Sequence, residues 1–361
     1  MNTITGWWLS SSDQTTRSEF STEFLRREIG IRLFSGQEEI SSQLARVSKG
    51  SQALVFTDSS VSNFKSLDCF PNRSVILFVL SDETYSLALN LRALLNKKVS
   101  LVVRNYPLGN FRAIINYPFI LYSKLLRGIY YPQLLKLFPR AFASSLYMIF
   151  SQILLRLVFI LLRKQCFHFP LGYDSGFAQN FAQHFKVSES SSLIEFSLSK
   201  GNVSLFPEKQ RDFFFMGQRG TFDRQLLLSE AKQLGINLEK VHESYLVGRL
   251  DEYQKMYFDS ILSSRLSITP PGNYSAHTFR YCESLLVHSY PIGERWVLSD
   301  PLYLSRLTFA WKPRTLRILK SYMALRHHND IKLEIIKELE HLNQLRFALI
   351  ELLKSKGNRP M

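Results

Sequence analysis

The sequence predicts an α/β protein built on parallel sheet, and three observations carry that expectation. Strand-like apolar runs alternate with helical stretches: QALVFTD (Gln52–Asp58), SVILFVLSDE (Ser74–Glu83) and VSLVVRNY (Val99–Tyr106), with TYSLALNLRALLNKK lying between the last two. SVILFVL is apolar almost without a break, the pattern of a strand covered on both faces of a parallel sheet. The 361 residues exceed one ordinary core and suit two domains, while a hydrophobic content of 45% is far above that of a disordered chain.

The rhythm breaks after VSLVVRNY. Residues 108–165 are rich in Phe, Tyr, Leu and Ile with interspersed cations, and Phe142–Leu162 carries a single charge, Arg156. That stretch has about the length of a membrane span, roughly 20 residues. Arg156 inside it, and the strand-like CFHFPLGY that follows, favour instead a helical hairpin lying in a membrane interface. An internal helical subdomain and a true span are the other two readings.

The second half restarts the alternation. RDFFFMG (Arg211–Gly217) reads as a strand. TFDRQLLLSEAKQLG reads as a helix with Thr221 as N-cap and Gly235 as its stop. DEYQKMYFDSILSS reads as a helix with acids at its positive end, and RLSITP as a strand. SESSS (Ser188–Ser192) reads as a loop near a domain boundary. Asp330–Lys356 is an amphipathic helix with Ile335, Leu339, Leu342, Leu345 and Leu349 on one side, suited to packing on its own chain or to a coiled coil.

Charge is placed unevenly. The formal net charge is +15, and from Thr84 to Tyr173 there is no Asp or Glu against twelve Lys and Arg. No zinc-finger spacing, RNA-recognition signature or basic zipper accompanies it, so a nucleic-acid binder has no motif behind it. The expected partner is an anionic membrane surface, met by Arg112, Lys124, Arg127, Lys136, Arg140, Arg156, Arg163 and Lys164. Cys69, Cys166 and Cys282 are scattered and odd in number, which fits a reducing compartment better than a disulfide framework. The N-terminus MNTITGWWLSSSDQTT does not read as a secretory signal, and the expected location is cytoplasmic, on the cytosolic face of a membrane.

The chemistry-bearing stretch is PPGNYSAHTFRYCESLLVHSYPIG (Pro270–Gly293). In doubly wound sheets ligands sit beyond the carboxyl ends of strands, where RLSITP ends. Gly272 allows a sharp turn and close approach, and a helix beginning near Ser275 offers amides and a positive dipole end to a phosphate. Arg280 and Glu283, three apart, share a helix face, and a carboxylate is an acceptor for two ribose hydroxyls. Alone, that spacing equally describes a surface ion pair. Arg219 in GQRG, and Arg224 seven residues after Gly217 of FMG, bring two further cations to the mouth of the same sheet.

These stretches, FMG followed by Arg224, then PPGN, Thr278, Arg280, Glu283–Ser284 and YPI, resemble the nucleotide-binding domain of exostosin-like GT-B glycosyltransferases. LSDE (Leu80–Glu83), VVRNYPL and FPLGYDSGF (Phe169–Phe177) resemble the first domain of the same group. The likeness covers roughly Val75–Gly109 and Phe169–Gly293. It departs from the family at Val287 and His288, where small residues and Gly are usual, and residues 108–165 are an insertion.

The resemblance implies two Rossmann-like domains facing a central cleft: residues 1–185 on the acceptor side, with 108–165 as a membrane-associating insertion, and 186–329 for the nucleotide-sugar. Residues 330–361 form a C-terminal helix. Arg224 and Arg280 would meet the diphosphate and Glu283 the ribose or sugar. Gly217, Arg219, Gly272, Asn273, His277 and Thr278 would line the donor loops. No cofactor or metal is implied beyond the donor, and the sequence has no Asp-x-Asp triplet to hold a cation. Inverting transfer requires a base on the acceptor side, for which Asp82 and Glu83 are the candidates. Asp82 as an N-cap is an equal reading. His168 and His184 read as structural. The expected activity is transfer of a sugar to a lipid-linked or surface-glycan acceptor. A non-catalytic protein keeping the GT-B shell is the alternative, and homo-oligomers are compatible with either.

Overall fold

The structure, a computed structural model, describes residues 4–8, 19–34, 52–58, 64–80, 86–105, 122, 125–126, 129–170, 172–199, 209–215, 222–233, 250–269, 279–292 and 328–357. The chain forms two compact units. The first comprises Met1–Leu108, Met148–Gly172 and Asn343–Met361, the second Gly109–Tyr147 and Tyr173–Leu342.

Among the described residues, the first unit holds six parallel strands: β1 (Ile4–Trp8), β2 (Ile31–Phe34), β3 (Ala53–Asp58), β4 (Val75–Leu80), β5 (Val99–Arg104) and β6 (Gln165–His168). Their order is β2-β1-β3-β4-β5-β6, with every pairing parallel. The order reverses between β1 and β3, which makes this a doubly wound sheet with its switch point there. The apolar run of β4 is buried along its whole length, as a central parallel strand must be. Phe56 of β3 stacks on Phe78 of β4 at 4.5 Å between ring centroids. A Cβ on Gly6 would come within 2.4 Å of the Phe56 ring, so β1 can approach β3 only with glycine there. Sequence reasoning did not anticipate β1 or β2. They are short, and β1 carries that glycine in its middle.

Helix α1 (Glu19–Phe24) runs into a π-turn (Leu25–Ile29) closed by Gly30 at φ 78. Helix α2 (Leu87–Leu95) is capped by Ser86, whose hydroxyl accepts from the Leu89 amide. Helix α3 (Pro132–Leu135) and α4 (Phe138–Leu162, 25 residues) lie between β5 and β6. The insertion expected as one body is therefore divided: its first part, to Tyr147, belongs to the second unit and the rest to the first.

The second unit holds helices α5 (Ser175–Phe185) and α6 (Leu193–Ser199), strand β7 (Arg211–Phe214), and helices α7 (Phe222–Gln233) and α8 (Leu250–Leu262). Strand β8 (Ser264–Ile268), helix α9 (Phe279–Leu286) and strand β9 (Tyr290–Ile292) follow. β7, β8 and β9 form a parallel sheet in sequential order. The second segment of this unit begins at Tyr173, and in it α5 packs its aromatic face on α8. Phe177 and Phe181 lie 5.6 and 6.3 Å from Phe258. The loop Ser188–Ser192 joins α5 to α6 inside this unit. Helix α10 (His328–Gly357) changes unit after Leu342. Its Ile335, Leu339, Leu342 and Leu349 are buried within the chain itself. In the first unit its Arg346 donates from Nε to the Glu28 carbonyl at 2.6 Å.

Two lysines tie helix ends together. Lys209 donates to the carbonyls of Leu262 and Val287 at 2.6 and 2.8 Å, closing the C-termini of α8 and α9. Lys164 donates to the carbonyls of Asn96 and Val99 at 2.7 and 2.9 Å, in the turn between α2 and β5. His288 takes the left-handed conformation natural to glycine (φ 54). Its Nε2 lies 3.3 Å from the Ser197 carbonyl, and burial holds its pKa down to about 4, so the neutral ring donates that bond.

Candidate functional site

In the second unit β7, β8 and β9 point their carboxyl ends the same way, and α9 leads from β8 to β9. Arg280 occupies the first turn of α9. Its guanidinium lies 5.9 Å from the centroid of the Phe215 ring, on the residue that follows β7. Thus Arg280 reaches the carboxyl edge of the sheet, where ligands of parallel sheets bind. The side chain is buried at 7% exposure, with its cation against the aromatic face. Tyr253 of α8 lies within electrostatic reach of Arg280, while burial pushes its phenol above the usual range.

Glu283, one turn further along α9, is fully buried. Its Oε1 accepts from the Asp174 backbone N–H at 3.0 Å, and its Oε2 accepts from the Tyr257 hydroxyl at 2.6 Å. Burial, reinforced by the Asp174 charge, pushes its pKa up to about 8, against the opposing pull of its hydrogen bonds and of Arg280. At neutral pH the carboxyl is therefore protonated for the greater part, and it does not cancel the charge of Arg280. Glu283, expected to meet the ribose or sugar, has both oxygens hydrogen-bonded within the fold, and it fixes α9 against α5 and α8. Asp174 completes the cluster. It caps α5 by accepting from Gly176 and Phe177 amides at 2.8 and 3.4 Å, and takes a bond from Gln254 Nε2 at 3.2 Å. The Gln254 amide group lies 2.0 Å from where a Cβ on Gly176 would stand, so it packs directly over this helix start.

Arg224 stands in the first turn of α7 and is partly buried. Its neighbours Phe222 and Leu226 pack with Tyr131 and Leu134 of the α3 region. The loops expected to complete the donor site, with Gly217, Arg219, Gly272, Asn273, His277 and Thr278, lie outside the described residues, as do Asp82 and Glu83.

In the first unit the carboxyl ends of β3, β5 and β6 bear Asp58, Arg104 and His168. Arg104 is fully buried and hydrogen-bonded to Asn90 of α2. The His168 ring lies 3.4 Å from Cys166 Sγ, yet burial pushes that thiol up to about 12, which keeps it protonated and unsuited to nucleophilic attack. His184 is set among the rings of Phe185 and Phe258, as a structural histidine is.

Of the cations expected to face a membrane, Lys136, Arg140 and Arg163 are exposed. Arg156 is half-buried, and burial lowers its pKa. Lys164 is half-buried, and its ammonium donates to two backbone carbonyls. Arg112, Lys124 and Arg127 lie outside the described residues. Among the described residues, no helix is long and apolar enough to cross a membrane, and no three His, Cys, Asp or Glu side chains are grouped to hold a metal ion.

No protein-family model matches the chain, and no curated protein matches it significantly.

Sequence reasoning missed Asp174, Tyr257 and Lys209. Asp before Ser-Gly at a helix start was a legible N-cap signal for Asp174. Tyr257 and Lys209 gave none, since their roles arise only when α8 and α9 meet.

Proposed function

We propose that the chain is a glycosyltransferase of GT-B type that takes a nucleotide-sugar on its second unit and delivers the sugar to a lipid-linked or surface-glycan acceptor at a membrane. The observation that supports this best is Arg280, held over Phe215 at the carboxyl edge of a parallel sheet and beside a carboxyl whose pKa burial pushes up to about 8. A guanidinium so placed is suited to a diphosphate, and its charge stabilises the leaving nucleoside diphosphate as the bond to the sugar breaks. Arg224 and Arg219 supply further cations in this reading, and Gly217, Gly272, Asn273, His277 and Thr278 the loop backbone and polar contacts. Asp82, following β4 on the first unit, deprotonates the acceptor hydroxyl, with Glu83 beside it. Attack on the face opposite the leaving group inverts the anomeric centre, and the arginines stand in for a metal. Glu283 is a positioning residue that sets the angle of α9 and hence Arg280.

The test is turnover. Purified protein offered a panel of nucleotide-sugars should release nucleoside diphosphate from at least one. Asp82→Ala should abolish transfer while donor binding persists, and Arg280→Ala should weaken both. A protein that binds nucleoside diphosphates but turns over no nucleotide-sugar would instead be a non-catalytic holder of the GT-B shell.

A further inference from the structure

We infer that the amino-terminal edge of the first unit's sheet is a docking surface for an anionic lipid bilayer. This gives the membrane part of the proposed function a place in the fold and rests on that part alone; sugar transfer is independent of it.

The end of α4 carries apolar side chains on its exposed face as well as its buried one. In its first-unit portion α4 buries Ser151 and Gln152 together with Leu155, while Ile160 and Leu161 are 66% and 78% exposed. Phe150, Leu157 and Leu161 are spaced by seven and four residues, so they follow one ridge of the helix, and all are exposed. Leu155 and Phe159 on the opposite face are buried, so this helix end carries more apolar surface than the core takes up. Beside this end lies Leu95, the last residue of α2, at 64% exposure. The two are held together by built contacts. Lys164, just past α4, bonds the carbonyls of Asn96 and Val99, and the Arg73 amide donates to the Lys97 carbonyl at 2.9 Å. The three turns leading into β4, β5 and β6 are thereby stitched into one rim.

That rim carries cations. Arg73, Lys97 and Arg163 are each exposed, one from each turn. Arg73 and Arg163 sit at φ 57 and 49, a left-handed conformation disfavoured for residues with side chains and natural to glycine.

Exposed aliphatics beside exposed cations fit one partner above others. A bilayer takes Leu95, Ile160 and Leu161 into its acyl boundary and offers lipid phosphates to the three cations. Nucleic acid would satisfy the cations and leave the aliphatics in water. A second copy meeting this patch about a twofold axis would set the same cations against each other.

The full-length chain should co-sediment with vesicles of phosphatidylcholine doped with phosphatidylglycerol, and not with phosphatidylcholine alone. Arg73→Glu, Lys97→Glu and Arg163→Glu together should weaken that partitioning by about 100-fold. Leu95→Ser with Leu161→Ser should weaken it by about tenfold. Should the triple variant fail to fold, Lys97→Glu with Leu161→Ser, which leaves both left-handed turns untouched, carries the same expectation. Equal binding to both vesicle types, binding to neither, or full binding by a folded variant would overturn the inference. So would light scattering that finds a dimer dissociated by Leu161→Ser. Nucleoside diphosphate binding by the same variants should stay unchanged; its failure in the wild type counts against the donor reading and not against this one.

Discussion

Glu283 shows how a residue chosen for chemistry can be claimed by folding. Its spacing from Arg280 was visible in the sequence, but the spacing carries no information on whether a face is exposed. That was decided by Asp174 and Tyr257, 109 and 26 residues away along the chain. Since its folded-state pKa is about 8 against an ordinary 4.5, the native state binds the extra proton between those values. The stability it contributes is complete below about pH 4.5 and is lost as pH rises through about 8. Glu283→Gln, which keeps one acceptor and offers a donor to Tyr257, should leave the melting temperature near that of wild type at neutral pH. It should also remove this downward slope, as read by thermal melts across the range. Glu283→Ala leaves the Tyr257 hydroxyl and the Asp174 amide without their acceptor, and should cost about 2–4 kcal/mol in denaturant unfolding.

At the scale of elements, the strands richest in buried apolar residues were legible because their period is set by burial alone. β3, β4, β5 and β7 fall inside the stretches the sequence marks, and β8 starts one residue before its own. β1 and β2 escaped because four or five residues with a central glycine or a charged residue carry too little pattern. For α4, composition gave the helix but not its orientation. The structure separates Leu155, fully buried, from Leu161, largely exposed, within one sequence of similar hydrophobicity. Leu155→Ala should therefore destabilise by about 2–5 kcal/mol in urea titration, whereas Leu161→Ser should change stability by about 0.5 kcal/mol or less. Lys209 belongs to this scale too, because it joins α8 to α9. Its pKa is depressed from 10.5 to about 7 by burial, so the unfolded chain binds the proton more readily between those values. The contribution to stability is lost as pH falls through about 7 and is complete above about 10.5. Lys209→Met should flatten that rising limb in the same thermal series.

For the molecule as a whole, alternation of strands and helices disclosed two sets of parallel strands, and both sheets are present. The chain's division between units was not legible. The changes at Gly172/Tyr173 and within α4 and α10 fall inside or beside regular elements, with no linker composition to mark them. The donor reading rests on a single arginine at a sheet edge with its aromatic support, joined by loops known from the sequence. Its most direct test is calorimetric titration of wild type and Arg280→Ala with a panel of nucleoside diphosphates. The proposed function predicts saturable binding of at least one diphosphate by the wild type, weakened at least tenfold in folded Arg280→Ala protein, about 1.4 kcal/mol of binding free energy. A wild type that binds none of the panel, or a folded Arg280→Ala protein that binds as tightly, would contradict it.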